Sequence, residues 1–340
     1  MSVTVAIPVR DGGELLRRTL TALSTQTVAH ELLVCDSGSV DGSDELAASH
    51  GARVLRIAPA RFNHGGTRNL LVRESSGARV ALLSQDAEPA DERWLERLLA
   101  GFDLAPDVGI VCGSYRPRAG ASLPTRMELE RWFASLSRDG RPCVERLDAR
   151  ERSSLPAAAL VGRRGFFTDA NACLSRPAWE QVPFRELAYA EDRALALDML
   201  RAGYAKVYVP AAAVIHSHDY TPGQQLRRCF DEWRGLREVY GWREPASPGH
   251  LLGRMRGELA AARRELSLAE APAPARWRTL AAVTVHNALR LTGAVLGSRA
   301  ELLPARVRRV LSLERRGEAS AHAGGTPAPA SQPQSCGRTS

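Results

Sequence analysis

Apolar runs at residues 3–8, 30–35, 53–57, 80–83 and 108–112 recur along the first third of this chain, alternating with segments of helical spacing at 13–23, from Asp41, at 66–74 and at 91–99. A chain patterned this way has few options. Strands separated by single helices imply βαβ units, a mostly parallel sheet flanked by helices, and right-handed crossovers. In such sheets ligands bind outside the carboxyl ends of the strands, so residues just after each apolar run are the candidates for chemistry.

The fourth run ends in Ser84-Gln85-Asp86-Ala87-Glu88-Pro89. Pro89 cannot continue a ladder. If the chain stays extended there, Asp86 and Glu88, two positions apart, face one spot. Two oxygen ligands at a sheet edge suit Mg²⁺ or Mn²⁺ shared with a diphosphate. An acidic turn capping the helix from Asp91 is the competing reading. After the first run, the break at Pro8 and Val9-Arg10-Asp11-Gly12-Gly13 frees backbone groups to line a base, or forms a plain connecting loop. After the second, Asp36 can accept a hydrogen bond from a pyrimidine ring N–H, or cap the next helix. Asn63-His64-Gly65-Gly66-Thr67-Arg68-Asn69 opens a helix on a Gly pair, where free N–H groups attract phosphate and Arg68 adds charge. It lacks the Gly-Lys-Ser/Thr ending of a P-loop.

The second half is less regular. Helices are expected at 125–136, 191–201 and 221–240, with Pro222 suited to a first turn. Residues 137–149 read as a polar loop, 166–174 as a strand-pair edge, and 205–209 and 212–216 as two strands. Glu191 and Asp192 open a helix, where acids also simply complement the dipole. His216 and His218 share a face of an extended segment and can offer nitrogen to a metal, although a histidine there is often only packed. Arg- and Ala-rich helices follow at 251–268 and 275–296. From 317 the chain is Ala/Pro/Gly/Ser-rich, with the composition of a disordered tail.

With 44% hydrophobic and 25% charged residues, the composition is that of a globular protein. Its net charge of +8 suits an acidic small molecule, an anionic membrane surface or nucleic acid. Dispersed arginines and the lack of any reading motif argue against nucleic acid. No transmembrane helix is expected, and the first residues read as a strand rather than a leader. Six cysteines without a CxxC pair read as reduced thiols of a cytoplasmic protein.

Taken in order, Ile7-Pro8-Val9, Cys35-Asp36-Ser37-Gly38-Ser39-Val40-Asp41-Gly42-Ser43, Arg68-Asn69, Gln85-Asp86-Ala87-Glu88-Pro89, Ala190-Glu191-Asp192 and His216 resemble family 2 glycosyltransferases of the GT-A fold. The 62–69 segment, with Ser84-Gln85-Asp86 and His216-Ser217-His218-Asp219-Tyr220, resembles the rhamnosyltransferase branch. The resemblance spans about 3–240. It implies a GT-A (Rossmann-like) catalytic domain at 1–220, with a nucleotide-sugar half to about 115 and an acceptor half after it. A helical extension at 221–315 and a tail at 316–340 would follow. It also implies that Pro8 and Asp36 hold a pyrimidine, with Arg68, Asn69 and Gln85 on the nucleotide side. Asp86 and Glu88 would be the metal motif, joined by His216 and His218, and Asp192 the base, with Glu191 as second candidate. Glu88 departs from the motif's second Asp.

The implied reaction is transfer of a sugar, such as rhamnose from its dTDP form or one from a UDP-sugar, to a glycan or lipid-linked acceptor, with inversion and Mg²⁺ or Mn²⁺. Peripheral membrane contact through the late helices fits such an acceptor. Two other classes remain open: an inactive sugar-nucleotide-binding component of a polysaccharide assembly complex, and a sugar nucleotidyltransferase. The second usually carries a Gly-rich basic loop after strand one, and Val9-Arg10-Asp11-Gly12-Gly13 has no Lys.

Overall fold

The structure, a computed structural model, describes residues 2–268 and 272–314. The expected disordered tail and Cys336 therefore lie outside the described residues. The first half runs β1 (Val3–Val9), α1 (Gly13–Ser24), β2 (Glu31–Asp36), α2 (Ser43–Ser49), β3 (Arg53–Arg56), α3 (His64–Glu74), β4 (Arg79–Leu83), β5 (Glu88–Pro89), α4 (Trp94–Ala100) and β6 (Val108–Arg116). The second half adds α5 (Leu123–Leu136), β7 (Cys143–Glu145), α6 (Ala149–Ser154), β8 (Asn171–Ser175), α7 (Arg176–Gln181), α8 (Glu191–Ala202) and β9 (Ala205–Ile215). Four helices follow among the described residues: α9 (Pro222–Tyr240), α10 (Pro248–Leu268), α11 (Ala273–Gly297) and α12 (Ala305–Leu311).

All nine strands form one sheet, ordered β3-β2-β1-β4-β8-β6-β9-β5, with β7 also on β9. The β3-β2-β1-β4 part is parallel, as the alternation demands. β8 then enters antiparallel between β4 and β6, so the sheet is mixed rather than mostly parallel. Alternation along β1 explains its burial on both faces. Val3, Val5, Ile7 and Val9 pack with Leu16, Leu20 and Trp94 on one side, while Ala6 packs with Leu71, Val80 and Leu195 on the other.

Three expectations change in the second half. Residues 137–149 are not all loop, because Cys143–Glu145 pairs with β9 at its edge. The expected strand-pair edge at 166–174 is the central strand β8. The two strands expected at 205–216 are one, bent where Pro210 interrupts its pairing with β6 between Gly113 and Tyr115. The bend is stapled. Asn171 Nδ2 donates to the Ser114 and Ala212 carbonyls, both at 2.9 Å, and its Oδ1 accepts from Trp94 Nε1 at 2.8 Å. Only glycine fits at Gly113, since a Cβ there would stand 1.8 Å from the Ala212 carbonyl.

By length and composition alone α11 is long and apolar enough to cross a membrane, with mean hydropathy 1.2 and a third of that stretch buried. In the fold it lies along α9. Cβ atoms at Gly293 and Gly297 would meet the carbonyls of Leu226 and Phe230 at 2.7 and 2.3 Å, so the missing side chains are what permit the close packing. The cysteines at 35, 112, 143, 173 and 229 are free thiols.

Candidate active site

Asp86 sits in a turn after β4, closed by the Ala87 N–H donating to the Ser84 carbonyl at 3.0 Å. β5 then pairs antiparallel with the end of β9, Glu88 opposite Ile215, which brings Asp86 against the residues that follow β9. His216 Nδ1 lies 3.4 Å from Asp86 Oδ1, and His218 Nε2 lies 3.2 Å from Asp86 Oδ2. One ligand atom from each of Asp86, His216 and His218 falls within 4.8 Å of the others. The His216–Tyr220 loop is held in place. Ser217 Oγ accepts from the Arg118 N–H at 3.0 Å, and Asp219 accepts from Thr125 Oγ1 at 2.7 Å. Burial lowers His216 to about 4, and burial also lowers His218, so both imidazoles stay neutral at ordinary pH. Neutral imidazole is the form that ligates a metal.

Glu88 is not part of this trio. Its carboxylate pairs with Arg18 at 2.9 Å and faces Arg118 at 4.0 Å. The extended-chain argument fails because Asp86 lies in a turn, so the two carboxylates diverge.

A second acidic cluster surrounds the start of α8. Asp192 is half-buried, and burial followed by the neighbouring Glu191 charge raises it to about 6. Glu191 is 6% exposed and receives Arg68 Nη1 at 3.1 Å. Asp169, just before β8, forms an ion pair with Arg68 Nε at 2.6 Å, and burial raises its carboxyl well above the usual range. Arg68 is thus closed in by two acids and is not available to a diphosphate. Asn69 is likewise occupied. Its Oδ1 accepts from Trp179 Nε1 and the Phe184 N–H, and its Nδ2 donates to the Phe184 carbonyl, all at 2.9 Å. The start of α3 is not open to phosphate either. Asn63 caps it by accepting from Gly66 N–H at 2.8 Å, and Gly65 has no Cβ because the Arg185 carbonyl would be 2.1 Å from one. Glu191, expected as second candidate base, is tied to Arg68.

Tyr115 lies near both clusters. Its ring meets His216 edge-on at 4.9 Å, its hydroxyl contacts Thr168 Oγ1, and the Asp192 charge acts on it. Tyr115 thus touches the trio at His216 and, through its hydroxyl, Thr168, the residue before Asp169.

The loops after β1, β2 and β4 form a stitched floor. Gln85 Oε1 accepts from the Arg10 N–H at 2.8 Å and its Nε2 donates to the Arg10 carbonyl at 3.1 Å, so Gln85 braces the loop rather than facing a ligand. Asp11, at φ 46, accepts from Val40 N–H at 2.8 Å, and the Gly12 and Gly13 N–H groups donate to Ser43 Oγ and Asp41 Oδ2, each at 2.9 Å. Pro8 lies within β1 beside Cys35. Asp36 turns its carboxylate on its own loop, accepting from the Gly38 and Ser39 N–H groups at 2.9 and 3.1 Å and contacting Ser39 Oγ. A carboxylate offers roughly four acceptor positions, which leaves about one for a ligand.

Sequence reasoning missed Asp169, Tyr115, Arg118 and Arg228. Arg228, on α9, lies 4.7 Å over the Tyr189 ring, and its charge acts on His218 and Tyr220. Among the described residues it pairs with no carboxylate, and no local motif could have marked it.

Comparison with known proteins finds a match to the model "Glycosyl transferase family 2" over residues 4–158. The O-antigen chain rhamnosyltransferase RfbN of Salmonella typhimurium is 32% identical over 240 residues, covering 68% of this chain and 71% of that one. The O-antigen chain rhamnosyltransferase WbaN of Salmonella anatum is 32% identical over 204 residues, covering 59% and 61%. Among solved structures, a mannosyltransferase from Pyrobaculum calidifontis, in complex with GDP-Man and Mn²⁺, superposes with a TM-score of 0.57 at 17% identity, covering 87% of this chain and 86% of that one.

Proposed function

We infer the reaction from the premise that this chain belongs to glycosyltransferase family 2 and is a glycosyltransferase whose curated relatives include rhamnosyltransferases of polysaccharide synthesis. The reading is that it transfers rhamnose from a nucleoside diphosphate donor, dTDP-rhamnose before a UDP-sugar, to a hydroxyl of a growing or lipid-linked glycan, with inversion. The donor occupies the half to about 115 and the acceptor the half at 116–220. A lipid-linked acceptor places the enzyme in the cytoplasm, at the inner face of a membrane that its late helices touch.

The observation that carries this reading is the Asp86–His216–His218 trio, with Tyr115 against His216 on one hand and Thr168, next to Asp169 of the acidic cluster, on the other. Two imidazole nitrogens and one carboxylate suit Mn²⁺ better than Mg²⁺, which favours oxygen ligands alone. A divalent ion there would neutralise charge developing on the departing diphosphate. Arg118 and β5 hold Asp86 in place, while Arg228 offers the diphosphate a fixed cation. The stitched floor, with Pro8 and Asp36, receives the base. Asp192, the only acid of its cluster without a basic side-chain partner within ion-pair distance among the described residues, takes the proton of the acceptor hydroxyl as it attacks. A single base opposite the leaving group gives inversion. General-base catalysis of this kind contributes roughly 10²–10⁴ in rate.

The inactive-component and nucleotidyltransferase readings are not favoured, given these relatives. Purified protein with Mn²⁺ and a panel of nucleotide sugars, followed by mass spectrometry of the acceptor, tests the donor. Asp86→Ala is expected to abolish Mn²⁺-dependent binding of dTDP in calorimetry. Asp192→Asn should bind dTDP normally while transfer falls at least ~100-fold. Wild-type turnover by Asp192→Asn would overturn the base assignment.

A further inference from the structure

Asp231 lies in the middle of α9, fully buried, yet its carboxylate does not serve α9 alone. Its Oδ1 accepts from Ser312 Oγ at 2.8 Å, and its Oδ2 accepts from the backbone N–H groups of Leu313 and Glu314 at 2.6 and 3.0 Å. Arg234 Nη2 lies at ion-pair distance, 3.2 Å from Oδ1. A buried carboxylate is costly unless its lone pairs are filled, and here two backbone N–H groups of the segment after α12 fill them. The segment is therefore latched to α9 rather than resting against it.

The latch delivers a side chain. Glu314 Oε2 stands 3.6 Å from His64 Nε2, and His64 Nδ1 stands 3.8 Å from Glu191 Oε1. His64 Nε2 is buried with no hydrogen-bond partner. Glu191 opens α8 directly after Ala190, which holds the left-handed φ of 64. A non-glycine residue in that region costs about 1–2 kcal/mol, so this helix start must be held by its surroundings. Arg68 and His64 both meet Glu191 Oε1, at 3.1 and 3.8 Å, and Glu314 backs His64.

Resting on the reading of the site above, we propose that Glu314 and His64 are positioning residues for the transfer reaction, with Asp231 latching the post-α12 segment so that Glu314, through His64, fixes Glu191 and the α8 start that carries Asp192. The C-terminal helices are then a working part of the catalytic unit.

The test is a double-mutant cycle in the full chain. Glu314→Gln and His64→Gln are each expected to lower kcat by ~5–10-fold, with the donor KM and the Mn²⁺ affinity unchanged. Because the two act as one contact, the double variant should be no slower than the worse single. Asp231→Asn weakens the latch and is expected to reproduce the same kcat loss without a change in donor KM. Additive losses, or wild-type kcat in both Glu314→Gln and His64→Gln while Asp192→Asn stops transfer, would overturn the proposal and leave the site reading intact. Wild-type transfer by Asp192→Asn would instead condemn the site reading itself.

Discussion

At the scale of single residues, the cluster around α8 makes a pH prediction whose sign is fixed by burial. Asp192 is raised to about 6, so the basic form disappears as pH falls through 6. Transfer is expected to rise about tenfold per unit below that point and to level off above it. His216 does not supply this limb, since burial keeps it neutral down to about 4. Stability moves the other way. The folded carboxyl holds its proton more tightly than the unfolded one, so this group's stabilisation is full below about 4 and is lost as pH rises through 6. A kcat profile flat between pH 5 and 7 would contradict the assignment. The same scale shows what a sequence can and cannot reveal. Asp86, His216 and Asp192 each follow or open an element whose pattern is plain. Glu88 misleads because residue spacing reports facing only while the chain stays extended, and the Ser84–Ala87 turn breaks that condition. Arg68 and Asn69 mislead differently: their chemistry suits phosphate, but Asp169, Trp179 and Phe184, brought in from 100 or more positions away, occupy them first.

At the scale of elements, α9 joins the catalytic sheet to the C-terminal helices. Its Arg228, Asp231 and Gly235 fall at helical spacing, directed respectively to the Tyr189 ring, the post-α12 segment and Ala190, whose Cβ would be 2.7 Å from a Cβ at Gly235. α11 approaches α9 so closely that Gly297 faces the Phe230 carbonyl. Gly297→Ala would force backbone apart, and overpacking of that kind costs about 1–3 kcal/mol. Urea denaturation should show that loss, with kcat reduced through the displaced α9; an unchanged midpoint would mean the helices dock more loosely than described. Periodicity made these helices legible because each has an apolar stripe. It could not show that β8 enters antiparallel between β4 and β6, because a fully buried strand reads alike in either direction. Nor could it find β7, a three-residue edge strand in a polar stretch.

At the scale of the whole molecule, part of the positive charge sits on the late helices. α10 packs against α11; near the end of α10 Arg263, Arg264 and Glu265 are exposed, and near the start of α11 so are Arg278 and Trp277, the latter 71% exposed. From there Ala281, Val285 and Ala288 continue along the outer side of α11 at helical spacing, all exposed. An amphipathic Trp at the end of an apolar stripe, flanked by arginines, matches the interface of an anionic bilayer, with the ring at headgroup depth and the guanidinium groups on phosphate. Docked this way, these helices would hold the enzyme where a lipid-linked acceptor is displayed. Each arginine near such a surface contributes about 1 kcal/mol, so replacing Arg263, Arg264 and Arg278 by Gln should weaken partitioning by ~100-fold. Sedimentation with vesicles containing 30% or so anionic lipid is the measurement, and 0.5 M or so salt should release the wild type, because screening shortens the reach of surface charge to a few ångströms. Trp277→Ala should weaken binding even at low salt, since its contribution is apolar rather than ionic. Equal binding to purely zwitterionic vesicles, or wild-type binding by the triple variant, would mean that the charge on these helices serves something other than a membrane.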